Sequence, residues 1–202
     1  MIRDLPIVLL AAGQSSRMRG RDKLAEIVEG APLLRRQARV ARAATQGDVF
    51  VTLPVAPHPR YEMLAGLDVQ TVPVADAKQG ISESLRAGLS ALPPGTDAAM
   101  ILLADLPDLT SDDLRKVIAA VDLETPSLVW RGTTDGGKPG HPLIVRATLF
   151  SDLMAQQGDT GGQPVLAKHK DKTTLVPLAG LRALRDLDTP EDWEAWHAER
   201  TP

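Results

Sequence analysis

The sequence predicts an α/β protein with a doubly wound, mostly parallel sheet and helices on both faces of that sheet. Two observations support this fold class. Short, continuously apolar segments recur along the first half of the chain, and segments with helical spacing of apolar residues separate them. Continuous apolar runs of strand length are typical of strands that are buried on both faces, as in parallel sheets. Strands and helices that alternate at this rhythm form βαβ units.

The first half of the chain contains four predicted strands. Each is a short run rich in apolar residues that ends near a glycine, proline or aspartate. The last run, AAMILLA, is apolar throughout, and we therefore expect it at the centre of the sheet. The predicted strands cover residues 6–12, 48–53, 67–74 and 98–104.

Helices are predicted between these strands from the spacing of apolar residues. Residues 33–44 place Leu34, Ala38 and Ala41 on one stripe. A second helix begins near Ile81 and is ended by a pair of prolines at 93–94. A third follows the capping-box pattern that runs from Thr110 to an aspartate at position 113.

The regular alternation ends after about residue 125. Short strands are predicted for the segments SLVW, HPLIV and TTLVPL, and the glycine-rich segment RGTTDGGKPG is predicted to be a loop. Residues 148–154 are predicted to be helical, and Thr189 with Pro190 is typical of the start of a last helix. No repeat, low-complexity tract or linker interrupts the sequence. We therefore predict a single domain over residues 1–202.

The composition restricts the class of protein. The chain has 202 residues, of which 43% are hydrophobic and 24% charged, as in ordinary soluble proteins. A formal net charge of −3 and an aromatic fraction of 3% argue against binding to nucleic acid or to an acidic membrane. The absence of cysteine excludes disulfides and thiolate metal sites. No signal-like segment stands at the N-terminus, and we expect a cytoplasmic protein with no membrane partner.

A cationic loop follows the first predicted strand in the stretch LLAAGQSSRMRGRDK. In open α/β sheets, ligands bind beyond the carboxyl ends of the strands. Small residues after the strand let backbone N–H groups approach an anion closely, while Arg17 and Lys23 add charge. A solvated basic loop is the alternative, and the motifs GxxxxGK[ST] and GxGxxG are both absent. The residues that we predict to bind a nucleotide here are Leu10, Ala11, Ala12, Gly13, Ser15, Arg17 and Lys23.

Asp105 directly follows the apolar strand that is predicted at the sheet centre, in the segment LLADLP. It therefore lies at the same carboxyl edge as the cationic loop. A divalent metal on a nucleoside triphosphate takes oxygen ligands, usually one or two carboxylates with water. These considerations favour Asp105 as a metal ligand, with a turn-initiating aspartate as the alternative. Asp108 is interpreted as a turn or capping residue.

The stretch LAAGQSSRMRGRDKL resembles the signature LAAGxSxRMG…K of nucleotidyltransferases related to the molybdenum cofactor enzymes, a Rossmann-like family. Its nearest named members are the molybdenum cofactor cytidylyltransferases, followed by the guanylyltransferases. In this family the loop wraps the triphosphate, which implies that Arg17 and Lys23 neutralise phosphate charge here. Arg19 departs from the pattern because it stands between Met18 and Gly20, a spacing closer to the guanylyl branch.

The resemblance implies further site residues from Ile7 to Trp193. An aspartate in the family motif LLxDxP binds Mg²⁺, which implies this role for Asp105. Related sugar nucleotidyltransferases carry a metal-binding aspartate in a segment like DTPED, which implies Asp188 as a second ligand, unless it only serves the helix start. QGISESLRAGL resembles the element GxxxSLxxGL. That similarity implies base and ribose contacts for Gly80 and Ser84, with helix capping as the alternative.

Two further segments resemble parts of the family's acceptor site. Gly140 and His141 stand in a GHP motif, with a purely structural role as the alternative for His141. Asp159 belongs to GDTGGQ, which is similar to the family's GDxGAR and implies acceptor binding. Gln163 stands where the family has arginine, and this departure leaves the acceptor open.

The function implied by the resemblance is a Mg²⁺-dependent transfer of CMP from CTP to the phosphate of molybdopterin or its molybdenum form, with release of pyrophosphate. Arg17, Lys23 and Asp105 would be catalytic, and a molybdenum oxidoreductase would receive the product. One alternative is the same chemistry with GTP or a sugar phosphate. Another is a non-catalytic carrier of the finished cofactor. A nicotinamide oxidoreductase is disfavoured by the missing dinucleotide fingerprint.

Overall fold

The structure is a computed structural model that describes residues 4–200. Nine strands are present in the described part of the chain. They are β1 (Ile7–Leu10), β2 (Ile27–Val28), β3 (Ala31–Pro32), β4 (Val49–Pro54), β5 (Gln70–Val74), β6 (Ala98–Leu103), β7 (Val129–Thr133), β8 (Pro139–Arg146) and β9 (Thr173–Pro177). Seven of them form one sheet in the order β5-β4-β1-β6-β8-β7-β9, while β2 and β3 form a separate small hairpin.

The large sheet is mostly parallel, as the sequence predicts. Strands β5, β4, β1 and β6 run parallel to one another, β8 is antiparallel to both β6 and β7, and β9 is parallel to β7. Strand β6 has three strands on each side, which confirms the prediction that AAMILL lies at the centre of the sheet.

Helices cover both faces of this sheet. They are α1 (Leu33–Ala44), α2 (Arg60–Met63), α3 (Ile81–Ser90), α4 (Ser111–Ala119), α5 (Phe150–Met154), α6 (Gln163–Lys168) and α7 (Pro190–Ala198). Strand β1 is buried on both sides because Ile7 and Leu9 pack in the core with α1, α4 and α7, while Val8 and Leu10 pack with α3, α5 and α6. This two-sided burial explains the continuous apolar run in the sequence.

The second half of the chain differs in detail from the prediction. Strands β7 and β8 extend into the segment RGTTDGGKPG, which therefore forms a hairpin rather than a long loop. Residues 148–154 form the end of a 3₁₀ turn followed by α5. The sequence does not reveal β2, β3, α2 or α6, because each is too short for a periodic pattern. No helix within residues 4–200 is long and apolar enough to cross a membrane.

The carboxyl ends of β1, β4 and β6 meet at one edge of the sheet. Two helix starts near this edge carry capping boxes, of which the sequence predicts the one at Thr110 and only a helix start at Thr189. Thr110 caps α4 with Asp113, and Thr189 caps α7 with Asp192, each through reciprocal side-chain and backbone hydrogen bonds. These caps fix where α4 and α7 begin, and the start of α7 brings Asp188 to the edge where β6 ends.

Candidate active site

The loop after β1 is anchored by one apolar side chain. Met18 is fully buried in the core, whereas Arg17 beside it is exposed. Ser15 and Arg19 adopt φ values of 52° and 53°, on either side of the 3₁₀ turn Ser16–Met18. Both residues therefore adopt the left-handed conformation that side chains rarely take, and they bound the turn on either side.

A buried arginine from α2 holds this loop together. Arg60 is 2% exposed, and its guanidinium donates two hydrogen bonds to the Asp22 carboxylate, at 2.8 and 2.7 Å, and one to the Ala11 carbonyl at 2.6 Å. Burial alone would raise the pKa of Asp22, but the hydrogen bond and charge of Arg60, together with hydrogen bonds from Leu24 and Ser15, lower that pKa below its usual value. A bidentate pair of this kind fixes orientation as well as distance.

Ser15 takes part in the same network. Its hydroxyl donates to the Asp22 carboxylate at 3.1 Å and accepts the backbone N–H of Lys23 at 3.2 Å. The hydroxyl is thus used within the loop, and a contact between Ser15 and a nucleotide stays a prediction. Within residues 4–200, the backbone N–H groups of Gly13 and Gln14 donate to no protein acceptor, so they remain available for an anion.

Two cations and two carboxylates of the predicted site form one cluster. Lys23 Nζ donates to Asp105 Oδ2 at 2.5 Å and to Asp188 Oδ1 at 2.7 Å, and Arg17 contacts the other oxygen of Asp188 at 2.8 Å. Burial by itself would lower the pKa of Lys23, but Asp105 and Asp188 outweigh it and raise that pKa above the ordinary lysine value. The ammonium therefore remains charged at neutral pH.

One backbone and one side-chain connection explain why Asp188 reaches Asp105 across the fold. The N–H of Leu187 donates to the backbone carbonyl of Asp105 at 3.3 Å. Asp108 accepts the indole N–H of Trp196 at 2.9 Å and also contacts Arg200, so it ties the loop after β6 to α7. Asp108 lies in a turn, as its interpretation from the sequence expects, and its carboxylate also joins two distant segments.

The carboxylates fit a divalent metal that also binds a triphosphate. Asp105 Oδ1 is buried and has no hydrogen-bond partner among residues 4–200, so one oxygen is free for a ligand. No group of three or more His, Cys, Asp or Glu side chains in that range is arranged to hold a metal. Mg²⁺ suits such a pair, because it usually takes one or two carboxylates and completes its shell with water and substrate phosphates.

A cavity of about 330 Å³ opens beside this cluster at the carboxyl edge of the sheet. Gly80 lies where the start of α3 meets the loop at residues 158–160, and a Cβ there would come within 2.5 Å of the Gly158 carbonyl oxygen. Arg17, Ser15 and Asp188 lie outside the lining of this cavity. The predicted site residues that line it are Leu10, Ala11, Ala12, Gly13, Lys23, Gly80, Ser84, Asp105 and Asp159.

A second cavity of about 170 Å³ adjoins the first and contains predicted acceptor residues. Asp159 lines both cavities, while His141 and Gln163 line the second but not the first. His141 Nδ1 is buried without a hydrogen-bond partner in the described part of the chain. Burial, together with the charge of Arg131, lowers the His141 pKa to about 4, so the imidazole is neutral at physiological pH.

Gly140 has a packing role in this region. A Cβ at this position would lie 2.0 Å from the backbone oxygen of Ala183, and the next residue, His141, donates its N–H to that same oxygen at 2.7 Å. Gly140 lines neither cavity. Its predicted contact with an acceptor stays a prediction.

Sequence reasoning misses Arg60, Asp22 and Arg131, whose charges shape the site. Arg60 follows the proline-rich segment PVAPHP and belongs to a helix of four residues, so no periodic pattern identifies it. Asp22 stands within the recognised loop, but its role depends on a partner that is 38 positions away. A single charged residue in a short element carries no local sequence pattern that identifies its contact partner in the folded protein.

Comparison with known sequences identifies relatives. A family model described as MobA-like NTP transferase domain matches residues 7–173. The purine catabolism protein PucB of Bacillus subtilis is 28% identical over 200 residues, which cover 93% of each chain. The 2-C-methyl-D-erythritol 4-phosphate cytidylyltransferase of Streptomyces avermitilis is 31% identical over 194 residues, which cover 93% of this chain and 68% of that protein.

Several solved structures share the fold. The crystal structure of Rv0371c from Mycobacterium tuberculosis gives a TM-score of 0.82 at 24% identity, with 96% of this chain and 97% of that chain covered. A manganese complex of the same protein gives a TM-score of 0.78 at 23% identity, with 95% of this chain and 97% of that chain covered. A nucleotidyl transferase from Methanothermobacter thermautotroptrophicus gives 0.78 at 22% identity, with coverage of 98% and 99%.

The family match begins in β1 and ends in β9, so it spans the sheet that supports the cationic loop, Asp105 and the two cavities. The relatives and the solved structures agree with this match in fold, and those whose names state an activity transfer nucleotidyl groups. The chain therefore belongs to the family of MobA-like NTP transferase domains and is a nucleotidyltransferase.

Proposed function

We propose that this protein transfers the CMP moiety of CTP to a terminal phosphate of a pterin acceptor, molybdopterin or its molybdenum form. An acceptor phosphate oxygen attacks the α-phosphorus of CTP in line, a new P–O–P linkage forms, and pyrophosphate leaves. The observation that carries the proposal is the cluster in which Lys23 contacts both Asp105 and Asp188 beside the first cavity. Cations for a triphosphate and carboxylates for a metal stand together there.

The loop after β1 binds the triphosphate in this proposal. The unpaired N–H groups of Gly13 and Gln14 donate to phosphate oxygens, and Arg17 and Lys23 neutralise the departing pyrophosphate. Little covalent chemistry falls to the protein in this type of transfer, because positioning and charge stabilisation lower the barrier. Lys23 exchanges its carboxylate contacts for phosphate oxygens, which its flexible stem allows.

Asp105 and Asp188 would hold the divalent metal. A bound Mg²⁺ would neutralise phosphate charge and polarise the phosphoryl oxygens. The unpartnered oxygen of Asp105 supports this assignment, as does the manganese complex of Rv0371c in a protein of the same fold. Lys23 contacts both carboxylates and offsets the repulsion between them.

The base and the acceptor are proposed on separate grounds. The similarity to a cytidylyltransferase at 31% identity supports CTP, and Gly80 and Ser84 line the cavity where the base and ribose would bind. The acceptor rests on the resemblance of the loop and of the GHP segment to the molybdenum cofactor cytidylyltransferases. His141 and Asp159 lie on the path from the first cavity to the second and would face the acceptor.

A second candidate is the transfer of CMP to a sugar phosphate or sugar-alcohol phosphate. The cytidylyltransferase relative, whose name specifies 2-C-methyl-D-erythritol 4-phosphate, favours this candidate. Gln163 also leaves the acceptor side without the arginine expected for molybdopterin phosphate. The two candidates share every step at the nucleotide and differ only in the second cavity.

Product formation tests the proposal. Purified protein is incubated with Mg²⁺, molybdopterin and each of CTP, GTP, ATP and UTP, and the release of pyrophosphate and the mass of the product are measured. We expect a cytosine dinucleotide with CTP. Lys23→Ala should lower the rate on the order of 10²–10³-fold, because one charge-stabilising group is lost. Lys168→Ala, on the exposed surface of α6, serves as the control and keeps the wild-type rate.

The same assay with 2-C-methyl-D-erythritol 4-phosphate in place of molybdopterin separates the two candidates. A product from this acceptor alone would favour the second candidate. A product from GTP alone would place the protein in the guanylyl branch. Absence of pyrophosphate release with every pair of triphosphate and acceptor would contradict the proposal.

A further inference from the structure

A third cavity lies at the far edge of the sheet, between α6 and the strands β7 and β9. Its volume is about 610 Å³, and we call it the cationic groove. Val129 and Thr173 form part of its floor, Leu166 and Ala167 of α6 form one wall, and Arg131 and Lys170 are its two charged residues.

The register of the two strands explains the floor of the groove. Val129 pairs with Thr173 and Arg131 pairs with Leu175, so these four side chains share one face of the sheet. Val129 is fully buried, whereas Leu175 is 48% exposed. Helix α6 covers only the inner part of this face, and the outer part stays open to a ligand.

The charges of the groove are of one sign. Among residues 4–200, no Asp or Glu lines it. The guanidinium of Arg131 is half-buried and donates through Nε to the backbone carbonyl of Gly140 at 2.8 Å. Burial lowers the pKa of Arg131, and no carboxylate acts in the opposite direction. A half-buried charge without a counter-charge is unfavourable, and an anion in the groove would remove that cost.

The groove is continuous with the candidate active site. Gln163 and Leu166 line both the groove and the second cavity, and Asp159 lines both the second cavity and the first. The charge of Arg131 also reaches the second cavity, where it helps to lower the pKa of His141. The three cavities therefore form a row that leads from the nucleotide side to the edge of the sheet.

We propose that the cationic groove binds an anionic group at the distal end of the acceptor, with Arg131 as the main contact and Lys170 as a second one. The acceptor would then carry, besides the phosphate that attacks CTP, a second anionic group beyond an apolar or planar body that rests on Leu166, Ala167 and Leu175. The identification of this ligand as the acceptor rests on the proposed function. The binding of an organic anion in the groove does not rest on the proposed function.

Isothermal titration with 1-naphthyl phosphate tests the proposal, because this probe combines a planar apolar body with a phosphate. Wild-type protein should bind it, and 1-naphthol, which lacks the charge, should bind at least tenfold more weakly. Arg131→Gln should weaken binding of the phosphate at least tenfold, and Arg131→Lys should retain most of it. Lys170→Gln should weaken binding severalfold, whereas the control Lys168→Gln, two residues earlier at the end of α6 and outside the groove, should not.

Leu175→Glu keeps the test decisive if Arg131→Gln does not fold. Leu175 is exposed, so the fold should tolerate the substitution, and its register places the new carboxylate beside Arg131. We expect this variant to lose the probe as well. Equal binding of 1-naphthyl phosphate by wild type, Arg131→Gln and Leu175→Glu would overturn the proposal. So would a probe that binds only at the nucleotide cavity, shown by its loss in Lys23→Ala alone.

Two controls separate this proposal from the proposed function. Titration with Mg²⁺ and CTP reports the nucleotide site, and Arg131→Gln should leave that affinity unchanged. A protein that binds 1-naphthyl phosphate through Arg131 but does not bind CTP would retain the groove and contradict the proposed function. Sedimentation of wild type and Leu175→Glu tests for a second copy of the chain in the groove. A dimer that dissociates in the variant, with no binding of the probe, would overturn the proposal.

Discussion

The two ends of the sheet satisfy their polar groups in different ways. At the nucleotide end, the parallel strands β1, β4 and β6 carry a loop in which Arg60, Asp22 and Ser15 bond to one another. At the acceptor end, the antiparallel β8 and the short α6 surround two cavities. There, His141 Nδ1 has no partner among the described residues, and the charge of Arg131 is not balanced by a carboxylate.

This difference suggests that the two ends have different tasks in the proposed function: the nucleotide end would position the triphosphate, and the acceptor end would select the acceptor. The nucleotide end is organised before any ligand arrives, so binding a triphosphate requires little additional ordering of the chain. The acceptor end leaves a buried nitrogen and a half-buried cation without a protein counterpart in the described part of the chain, and the proposed acceptor would supply one. A ligand that lacks those groups would leave them unpaired, and unpaired buried groups discriminate strongly between substrates. In the proposed function, the acceptor would therefore be selected at the end of the sheet that leaves these polar groups unpaired.

Removal of the arginine at the centre of the nucleotide end should have the largest effect on stability. Arg60→Ala leaves the Asp22 carboxylate without its bidentate partner, which should lower the free energy of unfolding by about 3–5 kcal/mol. Urea unfolding measures this loss as a shift of the midpoint. Arg19 lies in the same loop and makes an exposed contact with Glu191 of α7, so Arg19→Ala should leave the midpoint unchanged. Equal midpoints for the two variants would show that the loop is not held by Arg60.

At the acceptor end, stability should depend on pH through His141. The pKa of this imidazole is about 4 in the folded protein and near 6.5 in the unfolded chain, so the unfolded chain takes up the proton first as the pH falls. The stabilisation is complete above pH 6.5 and is lost toward pH 4. The loss in the free energy of unfolding is about 3 kcal/mol, because each unit of difference between the two pKa values corresponds to about 1.36 kcal/mol.

Urea unfolding at several pH values between 4 and 7 measures this effect. The wild type should lose stability across the interval, and His141→Gln should lose clearly less. Asp105 and Arg131 are the other charges that act on this imidazole. Parallel profiles for wild type and His141→Gln would contradict a neutral buried imidazole.

Two glycines, one at each end, should respond differently to substitution by alanine. Gly140→Ala would place a Cβ against the backbone of Ala183 and should cost about 1–3 kcal/mol of stability, as overpacking does. Gly13→Ala meets nothing within 4 Å, so stability should be unchanged while affinity for CTP falls, because the methyl group enters the first cavity. Thermal unfolding and titration with Mg²⁺ and CTP measure the two effects. A lower unfolding temperature for Gly13→Ala than for wild type, or an unchanged unfolding temperature for Gly140→Ala, would contradict this prediction.

The smallest effect is expected from the helix caps. Thr189→Ala and Thr110→Ala each remove a capping box and should each lower stability by about 1 kcal/mol. Only Thr189→Ala should also weaken the binding of Mg²⁺ with CTP, because the backbone N–H of Asp188 donates to Asp192 in that same cap. Urea unfolding and calorimetric titration of both variants provide the measurement. Equal nucleotide affinities would argue against a role for Asp188.

Much of the nucleotide end is predictable from the sequence because its signals are local. A buried strand followed at once by small residues and cations identifies the loop, and Asp105 follows a second buried strand in the same way. The structure brings these predicted residues together around Lys23. Asp188 reaches them because the N–H of Leu187 bonds to the carbonyl of Asp105. Only the resemblance to known enzymes predicts that long-range contact.

The acceptor end is less predictable because its features depend on pairs of short elements. The cationic groove requires the register of β7 with β9 and the position of α6. The sequence predicts only short strands for β7 and β9, and it does not predict α6. The extension of β7 and β8 into a glycine-rich segment is also invisible locally, because strand pairing overrides the turn preference of those residues.

The most direct test of the central claim is the binding of each nucleoside triphosphate, with and without Mg²⁺, to wild type and Lys23→Ala by calorimetry. The account predicts that CTP binds wild type in the presence of Mg²⁺, more tightly than GTP, ATP or UTP. It also predicts that Lys23→Ala, still folded by thermal unfolding, binds CTP at least tenfold more weakly. Equal affinity of wild type and Lys23→Ala for CTP, or no binding of any triphosphate, would contradict it.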